Sequence, residues 1–185
     1  MLIAFSGKMG SGKDEAAEYL KEKYSGTKYS FAKPIYDILH YAQFICGFEY
    51  KKDRKLLQFI GTEWARNIDK DVWVKIALLN IESSKESAKE SAKESSKENF
   101  FITDLRHLNE LKALKEHNWI CIQIKRDAID LDRAGTGNIN HSSELELENI
   151  SADHWDFVIE NNGTLSEFHQ KLDDIVDTLI GKSIF

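Results

Sequence analysis

Four apolar residues, Leu2 to Phe5, run into a glycine-punctuated loop, Gly7-Lys8-Met9-Gly10-Ser11-Gly12, and then into Lys13, Asp14 and a helical pattern. A short buried strand, a glycine loop and a helix in that order leave few folds open. The spacing from Gly7 to Gly12-Lys13 fits the G-x-x-x-x-G-K template of a phosphate-binding loop, with Asp14 where Ser or Thr is usual. Glycines let successive backbone N–H groups converge on one anion, and the helix behind adds its positive end. Gly7, Lys8, Met9, Gly10, Ser11, Gly12, Lys13 and Asp14 are therefore candidate contacts for a nucleoside triphosphate, with Lys13 reaching the β- and γ-phosphates. The plainer alternative is an ordinary strand-to-helix turn, and both the spacing and the flanking elements argue against it.

Downstream, the periodicity predicts a helix over 15–24, with Ala16, Ala17, Leu20 and Tyr24 on one face, and a strand over 27–31. Pro34 sits where the first turn of a helix tolerates it, and that helix continues through Ile35, Ile38, Leu39, Ala42 and Ile45 to about Gly47. After a charged loop over 51–55, helical patterns follow over 56–68 and 72–81, separated by Asp69-Lys70-Asp71. Strands are predicted at 100–103, 119–124 and 156–160, with helices over 107–117 and 165–180, the last capped by Gly181. Strands alternating with helices imply a three-layer α/β/α domain on a mostly parallel sheet. In such sheets ligands sit outside the strands' carboxyl ends, where the first loop, Asp104 and Arg126 should converge.

One segment does not join that pattern. Residues 82–98 repeat Glu, Ser, Ala and Lys every four positions and carry no large apolar side chain. Such a segment is an exposed helical extension, helped by Glu–Lys pairs three apart, or a disordered insertion. Residues 127–141 combine glycine and charge with little hydrophobicity, as a mobile, lid-like loop does. The chain of 185 residues is 42% hydrophobic, enough for one well-buried domain over 1–185. Its net charge of −6 argues against nucleic-acid or anionic-membrane partners, so anionic ligands must meet locally placed cations. Cys46 and Cys121 lack metal-ligand spacing and read as reduced core residues of a soluble, cytoplasmic protein.

Asp104 ends an apolar strand downstream of the glycine loop, the usual place for a carboxylate holding Mg²⁺ or its waters. It could equally cap the helix that begins near His107. Arg106, Arg126 and Arg133 are candidate cations around a phosphoryl group, since planar guanidinium donors bind phosphate oxygens bidentately. Glu63, Trp64 and Arg66 lie within one helical turn and could clamp a phosphate and stack a base. The alternative there is an amphipathic helix with a Glu63–Arg66 pair. No serine sits in a nucleophile elbow, and His141-Ser142-Ser143-Glu144 reads as a helix start.

Taken together, these stretches resemble the deoxynucleoside monophosphate kinases of the phosphate-loop kinase superfamily, the kind carried by bacteriophages and some bacteria. The resemblance runs through Ser6-Gly7, Ser11-Gly12-Lys13-Asp14, Ala32-x-Pro34-Ile35, Leu57-Gln58-x-x-Gly61-Thr62, Asp69-x-Asp71-x-Trp73-Val74, Thr103-Asp104-x-Arg106 and Asn161-x-Gly163-x-Leu165. It implies a fold like that of nucleoside monophosphate kinases and transfer of the ATP γ-phosphoryl group to a deoxynucleoside monophosphate. An acceptor phosphate is already ionised at neutral pH, so positioning and charge neutralisation suffice. The implied roles are Lys13, Arg106 and Arg126 in catalysis, with Arg133 added to the ATP contacts. Lys33, Tyr36, Trp64, Arg66 and Asp104 bind the acceptor, and Mg²⁺ is held by Asp14 and Asp104 through water. Where the family usually has Lys, two residues after the proline, this chain has Tyr36, and Lys33 stands in as the replacement charge. The implied partners are small-molecule nucleotides, with a homodimer left open. Two alternatives remain, an animal-type phosphomevalonate kinase and a non-catalytic nucleotide-binding module.

Overall fold

In a computed structural model, residues 1–90, 99–127, 146–147 and 150–182 are described. The apolar run at the amino end forms β1 (Leu2–Ser6), the loop opens directly into α1 (Lys13–Tyr24), and β2 follows as Gly26–Tyr29. Further on come β3 (Asn99–Ile102), α6 (Leu108–Glu116), β4 (Ile120–Lys125), β5 (Phe157–Glu160) and the closing helix α7 (Leu165–Lys182). The strands make one five-stranded sheet in the order β2-β3-β1-β4-β5. β1 pairs in parallel with β3 and with β4, and β4 in parallel with β5. Chain contacts group residues 1–28 with 97–185 as one compact unit and 29–96 as a second.

In the first unit, β1 and β4 are buried on both faces, as the near-continuous apolar runs of central parallel strands require. On one face Ile3, Phe5, Phe101, Ile122, Ile124 and Ile159 pack with Ala16, Ala17 and Leu20 of α1 and Phe168, Leu172 and Val176 of α7. That is why those two helices carry their apolar residues three and four apart. α6 lies along β4, with Leu111 and Leu114 buried. The chain passes from β1 toward β2 on one side and from β4 toward β5 on the other. The topological switch point therefore lies between β1 and β4, where such sheets bind ligands.

The second unit is helical: α2 (Lys33–Ile45), α3 (Arg54–Gln58), a π-helical turn (Phe59–Trp64), α4 (Ala65–Ile68) and α5 (Val72–Glu90). Pro34 lies in the first turn of α2, as expected. Asp53 caps α3, its carboxylate accepting from the Leu56 N–H at 3.0 Å. α5 continues through Glu90, nine residues beyond the predicted end at Ile81. Two expectations change. Cys46 is exposed at the end of α2 rather than in a core, because α2 buries only Leu39 fully. Gly181 lies inside α7 instead of capping it.

Candidate phosphate-transfer site

The glycine loop follows the central strand and is held closed by its own lysine. Lys13 Nζ donates to the carbonyl oxygens of Gly7 at 2.6 Å and Lys8 at 2.7 Å, and the side chain is buried. Two of the glycines are irreplaceable on geometric grounds. Gly7 has φ 148°, and a Cβ there would sit 2.2 Å from the Ile124 carbonyl oxygen at the end of β4. Gly12 caps α1 at φ 109°, where a Cβ would lie 2.6 Å from Asn161 Nδ2. Both conformations belong to the region that side chains rarely enter. Ser11 Oγ is fully buried beside Gly7 and has no hydrogen-bond partner among the described residues. A buried hydroxyl without a partner is costly in a folded protein, and a phosphate oxygen would satisfy it. The loop thus combines left-handed glycines, a buried ammonium group and a donor hydroxyl, a set that suits a polyphosphate.

The neighbouring strands deliver further groups to the same carboxyl edge of the sheet. Asp104, half-buried, and Arg106, exposed, follow β3; Arg126, exposed, follows β4. The helix-capping role considered for Asp104 falls to another residue. His107 is the N-cap of α6, and the buried Glu110 carboxylate accepts the backbone N–H groups of Arg106 at 2.9 Å and His107 at 3.0 Å. Glu110 thereby fixes the backbone that carries Arg106. Its signal in the sequence was the three-residue spacing of a capping box, obscured because His rather than Ser or Thr stands at the cap. Asn161, at the end of β5, is a second contributor that side-chain chemistry alone did not reveal. Its Nδ2 donates to the Ser11 carbonyl at 2.8 Å. Arg133 lies outside the described residues, as do 128–141 of the lid-like loop and the His141–Glu144 helix start.

Lys33, Tyr36, Trp64 and Arg66 belong to the second unit. Lys33 pairs with Asp37 one helical turn on, at 2.6 Å, both side chains being largely exposed. Tyr36 is half-buried, with the Lys52 ammonium 5.4 Å from its ring centroid. Arg66 Nη1 donates to the Lys70 carbonyl at 3.3 Å. Trp64 is 48% exposed, a consequence of the π-helical turn. Within that turn the Ala65 N–H bonds to the Ile60 carbonyl, five residues back. Regular α-helical spacing would put Trp64 on the face that holds Ile60 and Gly61. The extra residue places Ala65 there and turns Trp64 outward.

Among the described residues no group of three or more His, Cys, Asp or Glu side chains is arranged to hold a metal ion. Mg²⁺ in nucleotide sites is typically held by one or two carboxylates, substrate phosphates and water. The exposed Asp14, whose carboxylate lies 3.8 Å from Lys28 Nζ, and the half-buried Asp104 fit that minimal set. No helix among the described residues is long and apolar enough to cross a membrane.

A glycine loop at the switch point of a five-stranded α/β sheet, with a lysine opening the next helix, defines the phosphate-loop kinase fold. Comparison with solved structures agrees. The chain superposes on a dephospho-CoA kinase from Campylobacter jejuni with a TM-score of 0.55, at 18% identity, covering 99% of this chain and 98% of that one. The family model for deoxynucleotide monophosphate kinase matches residues 1–49 and 48–172, and the chain belongs to that family. It is 28% identical over 195 residues to a protein of Acanthamoeba polyphaga mimivirus described as "Putative deoxynucleotide monophosphate kinase", covering 96% of each chain. It is also 31% identical over 149 residues to "Uncharacterized protein ORF77" of Ictalurid herpesvirus 1 (strain Auburn), spanning 79% of this chain and 58% of that protein.

Proposed function

We propose that this kinase transfers the γ-phosphoryl group of ATP to a deoxynucleoside monophosphate, giving ADP and the deoxynucleoside diphosphate. The observation that carries the reading is the loop, in which Lys13 is buried among the loop carbonyls and Ser11 Oγ is buried with no partner among the described residues. An oxygen of the acceptor phosphate attacks the γ-phosphorus, and the bond to the β,γ-bridging oxygen breaks with its electron pair leaving on ADP. The acceptor oxygen is already deprotonated at neutral pH, so the step needs no general base. Lys13 exchanges its two carbonyl partners for β- and γ-phosphate oxygens, while Arg106 and Arg126 neutralise charge on the transferred group and Arg133 adds to the ATP contacts. Lys33 and Arg66 are assigned to the acceptor phosphate, and Trp64 and Tyr36 to its base and sugar. Asp14 and Asp104 would hold Mg²⁺ through water, and the ion would supply charge neutralisation at the phosphates.

The direct test is coupled ADP release with ATP and a panel of deoxynucleoside monophosphates, ribonucleoside monophosphates and phosphomevalonate. Stimulation by at least one deoxynucleoside monophosphate is expected, and stimulation by none refutes the reaction. Lys13→Ala should lower kcat by at least a hundredfold while circular dichroism stays unchanged, as expected when a preorganised charge on the transferred group is removed. An unchanged kcat would remove the loop from catalysis.

A further inference from the structure

The end of β5 ties the glycine loop to the segment after β4 through two consecutive asparagines. Asn161 is buried; its backbone N–H donates to the Lys125 carbonyl at 2.7 Å and its Nδ2 to the Ser11 carbonyl at 2.8 Å. Asn162 then pairs with Asp127. The Asp127 N–H donates to Asn162 Oδ1 at 2.9 Å, and Asn162 Nδ2 donates to the Asp127 carboxylate at 2.6 Å. One short turn thus grips the phosphate loop on one side and the backbone next to Arg126 on the other.

We propose that Asn161 is a positioning residue that aims the loop's backbone at the phosphates, a role that rests on the nucleotide-binding reading above. In a trans peptide the C=O and the following N–H point in opposite directions, and there is no cis peptide among the described residues. Holding the Ser11 carbonyl toward Asn161 therefore directs the Gly12 N–H away from it. That N–H immediately precedes Lys13, where phosphate loops present amides to the anion. The close fit explains the size limit at Gly12, since a Cβ there would collide with Asn161 Nδ2 at 2.6 Å and with the Phe168 ring at 3.3 Å. The buried Ser11 hydroxyl lies on the same residue whose carbonyl is anchored, and the Ser11 N–H donates to the Lys8 carbonyl at 3.1 Å, so the residue is held from both sides.

The test uses the full chain, a fluorescent N-methylanthraniloyl ATP analogue and two variants of nearly equal size, Asn161→Asp and Asn161→Leu. At pH 8 both should weaken binding roughly tenfold, the scale of one lost buried hydrogen bond. At pH 5.5 the variants should part company. A carboxyl buried against a carbonyl titrates high, and its protonated form donates as the amide did. Binding by Asn161→Asp should then return to within about threefold of wild type at the same pH, while Asn161→Leu stays weak. A role confined to packing would not produce that recovery. Wild-type affinity in both folded variants at pH 8, or no recovery by Asn161→Asp at pH 5.5, overturns the positioning role. Should a variant lose its circular dichroism signal at pH 8, the Asn161→Asp result at pH 5.5 decides. A wild-type protein that does not bind the probe overturns the nucleotide site itself.

Discussion

At the scale of single residues, the loop was the most legible part of the chain, because its chemistry needs particular residue types at fixed spacing. Gly7, Gly12 and Lys13 occupy the places that the template demands, and the structure supplies the reason for each. Asn161 stood out only as part of the Asn161-x-Gly163-x-Leu165 match, and the capping-box spacing of Glu110 was obscured by His107; neither announced its role, because each acts on another residue's backbone. The cysteines show a different limit: apolar neighbours in sequence do not say which face of a helix is covered. Cys121 is buried in β4, and burial pushes its thiol up to about 12, so it stays protonated at neutral pH. Cys46 is exposed. A thiol-reactive chromogenic disulfide should therefore modify one cysteine rapidly in the native protein and the second only after urea unfolding. Peptide mapping that finds Cys121 labelled first would contradict this burial.

At the scale of elements, helix existence followed from periodicity, and the largest departure is the π-helical turn at Phe59–Trp64. A helical wheel cannot reveal one inserted residue, because the pattern on either side remains helical. The turn's outcome is visible in Ile68, which lies 76% exposed four residues after the outward-facing Trp64. The turn is braced from α5, where the buried Trp73 Nε1 donates to the Gly61 carbonyl at 2.8 Å. Gly61 in turn packs on Ile35, which a Cβ would approach to 3.0 Å. Trp73→Phe should cost about 1–3 kcal/mol in urea unfolding, the usual range for leaving a buried acceptor unsatisfied. It should also raise KM for the acceptor nucleotide more than KM for ATP. Equal changes in both constants would disconnect the turn from acceptor binding.

Across the whole molecule, α1 and α7 are joined at Asp173, whose carboxylate accepts from Tyr19 Oη at 2.8 Å and Tyr24 Oη at 3.4 Å and lies 2.7 Å from Lys23 Nζ. Burial pushes this carboxyl up, but the bonds from Lys23 and Tyr19 outweigh it and hold Asp173 below its ordinary value. A depressed carboxylate stabilises the fold above its unfolded pKa of about 4, and that contribution is lost as pH falls through the folded value. Asp173→Asn should thus be less stable than wild type at pH 7, with the gap closing below about pH 4 in urea melts. A gap that persists unchanged at pH 3 would assign the effect to packing alone. The sheet class was readable from alternating strands and helices, whereas strand order was not, since local patterns carry no information on which strands become neighbours.

That order also sets a schedule for the chain's synthesis. β1 emerges first, yet it sits between β3 and β4, its Ile3 paired with Phe101 on one side and Ile120 on the other. The first strand must wait for more than half the polypeptide before either neighbour exists, and long-range parallel pairing of this kind is intrinsically slow. The Ser11 carbonyl waits longer still, for an amide 150 residues downstream. A nascent chain halted before β5 would carry every residue of the glycine loop and still lack the strut that shapes it. Acquisition of nucleotide affinity should therefore mark the completion of folding rather than its beginning.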